Sequence, residues 1–211
     1  MAGSDRAKRR VGALYSWAAD RIYDRVVVNG AFKVFGGDLH EFVRDQGRRA
    51  LITAAGGPIL DMPVGTAYFT TDVARHYPGL VVGVDIAEGM VREARRVARS
   101  AGAALEVVQA DAHALPFPDD TFPAILCSNG LQVIPGLGTT VRELGRVLAP
   151  GGALYVSVIT LPAPLPARVR HRLPTMMRPG SDVSAALAQV GLTPRITRRE
   201  RLATLIEATK P

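Results

Sequence analysis

Residues 59–85 read ILDMPVGTAYFTTDVARHYPGLVVGVD, and the residue types follow one another as strand, loop, helix and strand. Ile59 to Met62 is a short apolar run carrying one acid, Asp61. Such a run, bounded by turn residues, marks a strand buried on both faces. A loop with Gly65 follows. Tyr68 to Tyr77 then places Phe69, Val73, Ala74 and Tyr77 at helical spacing, and Pro78-Gly79 ends the segment. Leu80 to Val84 is a second apolar run and also closes on an acid, Asp85. A strand, a covering helix and a second strand make a right-handed crossover between parallel neighbours.

The alternation continues downstream. Residues 88–100 read as a helix with Met90, Ala94, Val97 and Ala98 on one side. Leu105 to Gln109 is a third strand, with Asp111 just beyond it, and Ala124 to Ser128 a fourth. A helix near 139–148 keeps Val141, Leu144 and Leu148 in period, with Thr140 and Glu143 spaced as a capping box. Pro150-Gly151-Gly152 stops it, and Ala153 to Ile159 is a fifth strand. Residues 161–180, rich in Pro and Arg, read as a lid. Val183, Ala186, Leu187 and Val190 form a helical stripe ended by Gly191. Thr193 to Lys210 reads as two strands around Arg199 to Arg201, able to pair antiparallel. Upstream, the first fifty residues read as amphipathic helices, closed by Gly56 to Pro58. The expected fold is α/β: a doubly wound, seven-stranded mixed sheet with its last strand antiparallel, helices on both faces and an N-terminal helical cap. One domain is expected, divided as cap (1–55), cofactor-binding core (56–160), lid (161–180) and closing helix and strands (181–211).

Composition narrows the classes. The chain has 211 residues, 47% hydrophobic and 21% charged, so it can bury a core without disulfides. The single cysteine, Cys127, excludes a disulfide framework and a cysteine metal cluster, and no metal is expected. No apolar run is long enough to span a bilayer. The start, MAGSDRAKRR, is basic with no apolar stretch after it, so a cytoplasmic location is expected. The net charge of +7 can steer anionic partners. Arg92, Arg95, Arg96 and Arg99 share one helix face, read first as solvated, and Arg195, Arg198, Arg199 and Arg201 add charge near the tail. No RNA-binding module is recognisable, so nucleic acid ranks below a small-molecule substrate.

Three acids, Asp61, Asp85 and Asp111, stand at or just past strand ends, where open α/β sheets bind ligands. Gly65 lets a ligand approach the backbone closely. Asp85 lies 20 residues beyond it, a spacing that suits an acid accepting from both hydroxyls of a ribose. The ligand expected from these residues is a nucleoside.

Four segments, ILDMPVGTA (59–67), VVGVDIAEGMVREAR (81–95), VVQADAHALPFPDDTF (107–122) and RELGRVLAPGGALYVSV (142–158), stand in order at normal spacing. Together with the ending LIEATKP they resemble the Rossmann-like class I S-adenosylmethionine-dependent methyltransferases. The branch resembled is the small-molecule one that includes ubiquinone/menaquinone-biosynthesis-like enzymes. The resemblance implies S-adenosyl-L-methionine as cofactor and S-adenosyl-L-homocysteine as product. It implies that Asp61, Pro63, Gly65, Thr66 and Ala67 form the loop around the methionine part, and that Asp85 is the ribose acid. Ile86 and Met90 would flank the adenine, and Asp111 and Ala112 would read its edge. Asn129 would border the methionine part and the substrate. YSWAADRIYD (15–24), with Tyr15 and Tyr23, resembles the family segment that folds over the cofactor. Pro63 and Ala67 stand where the family usually has glycine, which predicts weakened binding. Pro123 replaces a common acid.

The sulfonium methyl needs little activation, so positioning the acceptor in line is the expected catalytic device. A base is required only for a protonated acceptor. His113, His40 and His171 are the candidates, with His171 and the Met176-Met177 pair in the lid, and Gln132 is placed to orient an acceptor. Tyr15, Trp17, Phe32 and Phe35 suit either a cap over an aromatic or lipophilic substrate or the buried face of helices. Three alternatives stay open: an RNA or protein methyltransferase, a nicotinamide dehydrogenase, and a non-methylating cofactor-binding member of the fold. The oligomeric state, monomer or homodimer, is also open.

Overall fold

The computed structural model describes residues 39–159, 180–199 and 203–211, with side chains from residue 41 onward. Tyr15, Trp17, Tyr23, Phe32, Phe35, the side chain of His40, His171 and the Met176-Met177 pair lie outside the described residues. The elements are α1 (Leu39–Ala54), β1 (Ile59–Asp61), α2 (Thr70–Arg75), β2 (Val81–Asp85), α3 (Glu88–Ala101) and β3 (Leu105–Gln109). They continue with β4 (Phe122–Ser128), α4 (Leu137–Val147), β5 (Leu148–Ile159), α5 (Gly180–Gln189), β6 (Thr193–Arg199) and β7 (Ala203–Thr209).

The seven strands lie in the order β3-β2-β1-β4-β5-β7-β6. The pairs among β3, β2, β1, β4 and β5 are parallel, and β7 runs antiparallel to both β5 and β6. The last strand is thus the reversed one, as the short 199–201 connection predicts. Every residue of β1 and β2 is buried, as continuous apolar strands covered on two faces require.

The alternating side chains divide the core into two layers. Ile59, Val81, Ala124, Leu126 and Tyr155 pack beneath α1 and α2 with Ala50, Val73 and Ala74. Leu60, Val82, Ile125 and Val156 pack on the opposite face with Val141 and Leu144 of α4 and Val183 and Leu187 of α5. Under α3, Val91 and Ala94 meet Val64, Ala67 and Val107.

Within the segment expected as the N-terminal cap, α1 covers the sheet, burying Ala50 completely, and its Gln46 Nε2 donates to Val156 O at 3.1 Å. Two local expectations are revised. Thr140 and Glu143 do not form a capping box. Helix α4 begins after Gly136 at φ +72 with no side-chain cap, and Thr140 lies inside it, donating to Gly136 O at 3.4 Å. The Glu143 carboxylate instead accepts from Leu115 N at 3.0 Å and from Arg146, which holds its pKa below the usual value. Finally, β4 starts at Phe122, with a register shift between Phe122 and Ala124, where Pro123 has no N–H for the ladder.

Candidate functional site

Strand β1 has β2 on one side and β4 on the other, and the sheet reverses its winding between β1 and β4. A crevice opens at such a switch point beyond the carboxyl ends of the strands. Loop 62–67 lines it. Met62 N donates to Leu126 O at 3.0 Å and Val64 N to Val84 O at 2.8 Å. Val64 folds back over β2 because Gly83 has no side chain: a Cβ there would stand 2.6 Å from Val64 Cγ2. Gly65, at φ +54, has nothing within 4 Å of the position a Cβ would take, so its backbone faces open space.

Asp85 holds this loop. Its carboxylate accepts from Gly65 N at 3.0 Å and from Ala87 N at 2.9 Å. Burial pushes its pKa up, opposed by these N–H groups and that of Ile86. Ala67 also takes a left-handed φ, +62, and is fully buried. Its methyl packs in the core with Val64, Val91, Ala94 and Val107. Thr66 is buried too.

Asp61 is only 5% exposed. One carboxylate oxygen accepts from the Thr70 hydroxyl, and the other, Oδ1, is buried without a partner among the described residues. Burial pushes its pKa up to about 7, with the Thr70 hydrogen bond opposing and Asp85 adding to the rise. Asn129, at φ +55, donates from its backbone N to Ser157 O at 2.8 Å. Its Oδ1, and the Oε1 of buried Gln132, likewise lack partners among the described residues. Each unmet buried acceptor costs roughly 1–3 kcal/mol. Three of them around the ends of β1 and β4 ask for a donor-rich, cationic group.

Beside them lies a narrow slot walled by Pro63, Val84, Ile86, Ala112 and Ile134, with Asp85 and Asp111 at its polar side. Met90 is buried in the core and does not line it. His113 does line it, with Nε2 2.7 Å from Pro135 O. A separate cavity of about 410 Å³ runs between α1 and α2 to Asp61, Thr70 and Ser128.

The methyltransferase-domain family matches residues 59–152, the whole run from β1 into β5 that builds loop, slot and acids. Over these residues the chain is similar to a methyltransferase domain. The demethylmenaquinone methyltransferase of Thermus thermophilus is 41% identical over 99 residues, 46% of this chain and 45% of that protein. The ubiquinone/menaquinone biosynthesis C-methyltransferase UbiE of Pasteurella multocida is 39% identical over 111 residues, 51% of this chain and 41% of that protein. The chain therefore spans less than half the length of these curated relatives. A SAM-dependent methyltransferase from Aquifex aeolicus superposes with a TM-score of 0.67 at 18% identity, covering 78% of this chain and 88% of that one. The [4+2]-cyclase SpnF superposes with a TM-score of 0.64 at 19% identity, covering 78% and 80%. These two likenesses establish the Rossmann-like fold.

S-adenosylmethionine is the cofactor of this family, and the residues of the methyltransferase domain fit it. The unpartnered oxygens of Asp61 and Asn129 suit the ammonium of its amino-acid end. Asp85 beside open Gly65 suits the ribose, and the apolar slot suits the adenine.

Residue-type reading passed over Gly130. A Cβ there would stand 2.1 Å from Pro63 Cδ, so the bare glycine seats the Pro63 ring. The Asn129-Gly130 pair, a turn signal directly after a strand, was the available clue. Arg146 was also passed over: it donates to Leu115 O at 3.0 Å, Phe117 O at 2.8 Å and Asp119 at 2.8 Å, and fixes loop 115–119.

Proposed function

We propose that this chain transfers a methyl group from S-adenosylmethionine to a small-molecule acceptor, with a quinone-type ring as the acceptor class. The single observation behind the donor is the buried, unpartnered Asp61 oxygen at the switch point, beside the loop that Asp85 holds open. The acceptor class is supported by the two quinone-pathway relatives.

When bound, the sulfonium cofactor supplies an electrophilic methyl and leaves as the neutral thioether. The chain's own part is placement. Asp61 holds the ammonium end, and Asp85 holds the ribose while its remaining lone pairs fix Gly65 and Ala87. The slot excludes water from the base. Buried Gln132 offers an unmet carbonyl to an acceptor's hydroxyl. Positioning of this kind supplies much of the rate for a displacement that needs no activated leaving group.

The arginine face of α3 supports a small molecule over RNA. Arg92 pairs with Glu88 and Arg96 with Glu93, which balances two of the four charges on that face, and Arg95 is turned to Val107 O at 2.8 Å. Calorimetric titration with S-adenosylmethionine and S-adenosylhomocysteine, against NADH and NADPH, tests the donor. Labelled-methyl transfer to a demethylated naphthoquinol, against RNA, tests the acceptor. Binding of nicotinamide cofactors alone, or transfer to RNA alone, refutes the reading.

A further inference from the structure

We propose that His113 is a positioning residue that clamps the adenine slot, tying the segment after β3 to the loop before α4, and is not the proton acceptor of the reaction. The proposal rests on the reading of that slot as the adenine site. Pro135 O can only accept, so the 2.7 Å contact places the proton on His113 Nε2 and fixes the tautomer. Nδ1 stands 3.9 Å from Asp111 Oδ1, beyond hydrogen-bond distance, while the backbone N of His113 donates to that oxygen at 3.0 Å. The ring is therefore tied to Pro135 and the backbone that carries it to Asp111.

Its third contact is steric. Gly136, at φ +72, leaves room for the ring: a Cβ there would stand 3.1 Å from His113 Cε1 and 3.2 Å from Nε2. His113 thus joins two walls of the slot that lie 22 residues apart in sequence. Its neighbours in the slot are Asp85, Asp111, Ile134 and Pro135, while Asp61, at the amino-acid end, lines the other cavity. Losing the clamp frees the Ile134-Pro135 wall, and the cost falls on holding the base.

The test measures S-adenosylhomocysteine affinity by calorimetry on the full chain, with kcat, KM for the cofactor and the pH profile of kcat. His113→Ala should weaken binding about tenfold, the worth of one such hydrogen bond, and raise KM to match. At saturating cofactor kcat should stay within about threefold, with its pH profile unchanged. His113→Gln, whose amide can still donate to Pro135 O, should recover most of the affinity. Gly136→Ala should weaken binding in the wild type but add little to His113→Ala, because the ring it displaces is gone. Wild-type affinity in His113→Ala overturns the proposal, as does a collapse of kcat with loss of a pH limb at unchanged KM. Failure of the wild type itself to bind the nucleoside overturns the cofactor reading instead, which keeps the two apart.

Discussion

Asp61 carries opposed demands on stability and binding. Its pKa of about 7 in the folded chain stands above the ordinary 3.8, so the folded state binds more protons than the unfolded state between those values. Stability of the ligand-free protein should therefore fall as pH rises through that window, by up to about 4 kcal/mol from this group. Asp61→Asn removes the buried charge and keeps the shape. It should raise the melting temperature of the free protein at pH 8, leave it unchanged near pH 4, and weaken S-adenosylhomocysteine binding by at least about tenfold. A variant that is less stable than wild type at pH 8 would contradict the account. Asp85→Ala removes acceptors for the ribose and for the Gly65 and Ala87 amides together, and should cost about 2–4 kcal/mol of cofactor affinity by calorimetry. The acids were legible in the sequence because each sits at a strand end, a position set by local pattern. Ala67 was not: its methyl stands in a glycine position, and only the packing with Val91 and Ala94 shows that it sits in the core.

Among the elements, the strands and their order in the chain were legible because each apolar run is short, continuous and closed by a turn residue or an acid. The helix starts were less so. Threonine and glutamate three apart recur within helices as well as at their caps, and at α4 a tertiary partner, Leu115 N, takes the glutamate. Helix α1 was legible only as part of an amphipathic N-terminal stretch, and its alanines, Ala50 and Ala54, are what seat it on the sheet. Contacts between loops carry no local signal at all, and Gly130 against Pro63 is the sharpest of them. Gly130→Ala should leave the sheet folded but push the cofactor loop off its seat, weakening S-adenosylhomocysteine binding by about tenfold or more. Gly102→Ala, at the end of α3 and outside the cofactor loop, is the control: with open space at its Cβ position, it should cost about 1 kcal/mol of stability through its φ of +63 and leave binding unchanged. Equal loss of binding in the two would remove the seating argument. Glu143→Gln tests loop 115–119: the Leu115 amide should exchange faster with solvent, with the protection of Ile125 in central β4 unchanged.

For the molecule as a whole, the two-layer packing makes the centre of β4 a reporter of global opening. Cys127 is the chain's single cysteine and is fully buried. It pairs with Val156 across β5, and burial pushes its thiol pKa up, with Asp61 adding to the rise. The reactive species is the thiolate, so the folded chain offers neither access nor the ionised form. Exposing it means parting β4 from its neighbours β1 and β5, which also dismantles the crevice between β1 and β4. Labelling by a thiol reagent should then be limited by the opening equilibrium. A ligand that binds the folded state alone lowers the open population by the factor 1 + [L]/Kd. S-adenosylhomocysteine at about 100 times its Kd should slow labelling about 100-fold, and Asp61→Asn, which binds it at least about tenfold more weakly, should show no more than about tenfold protection at the same concentration. Labelling that is fast in the free protein and indifferent to ligand would mean that β4 opens locally, and the crevice would then not share the stability of the central strands.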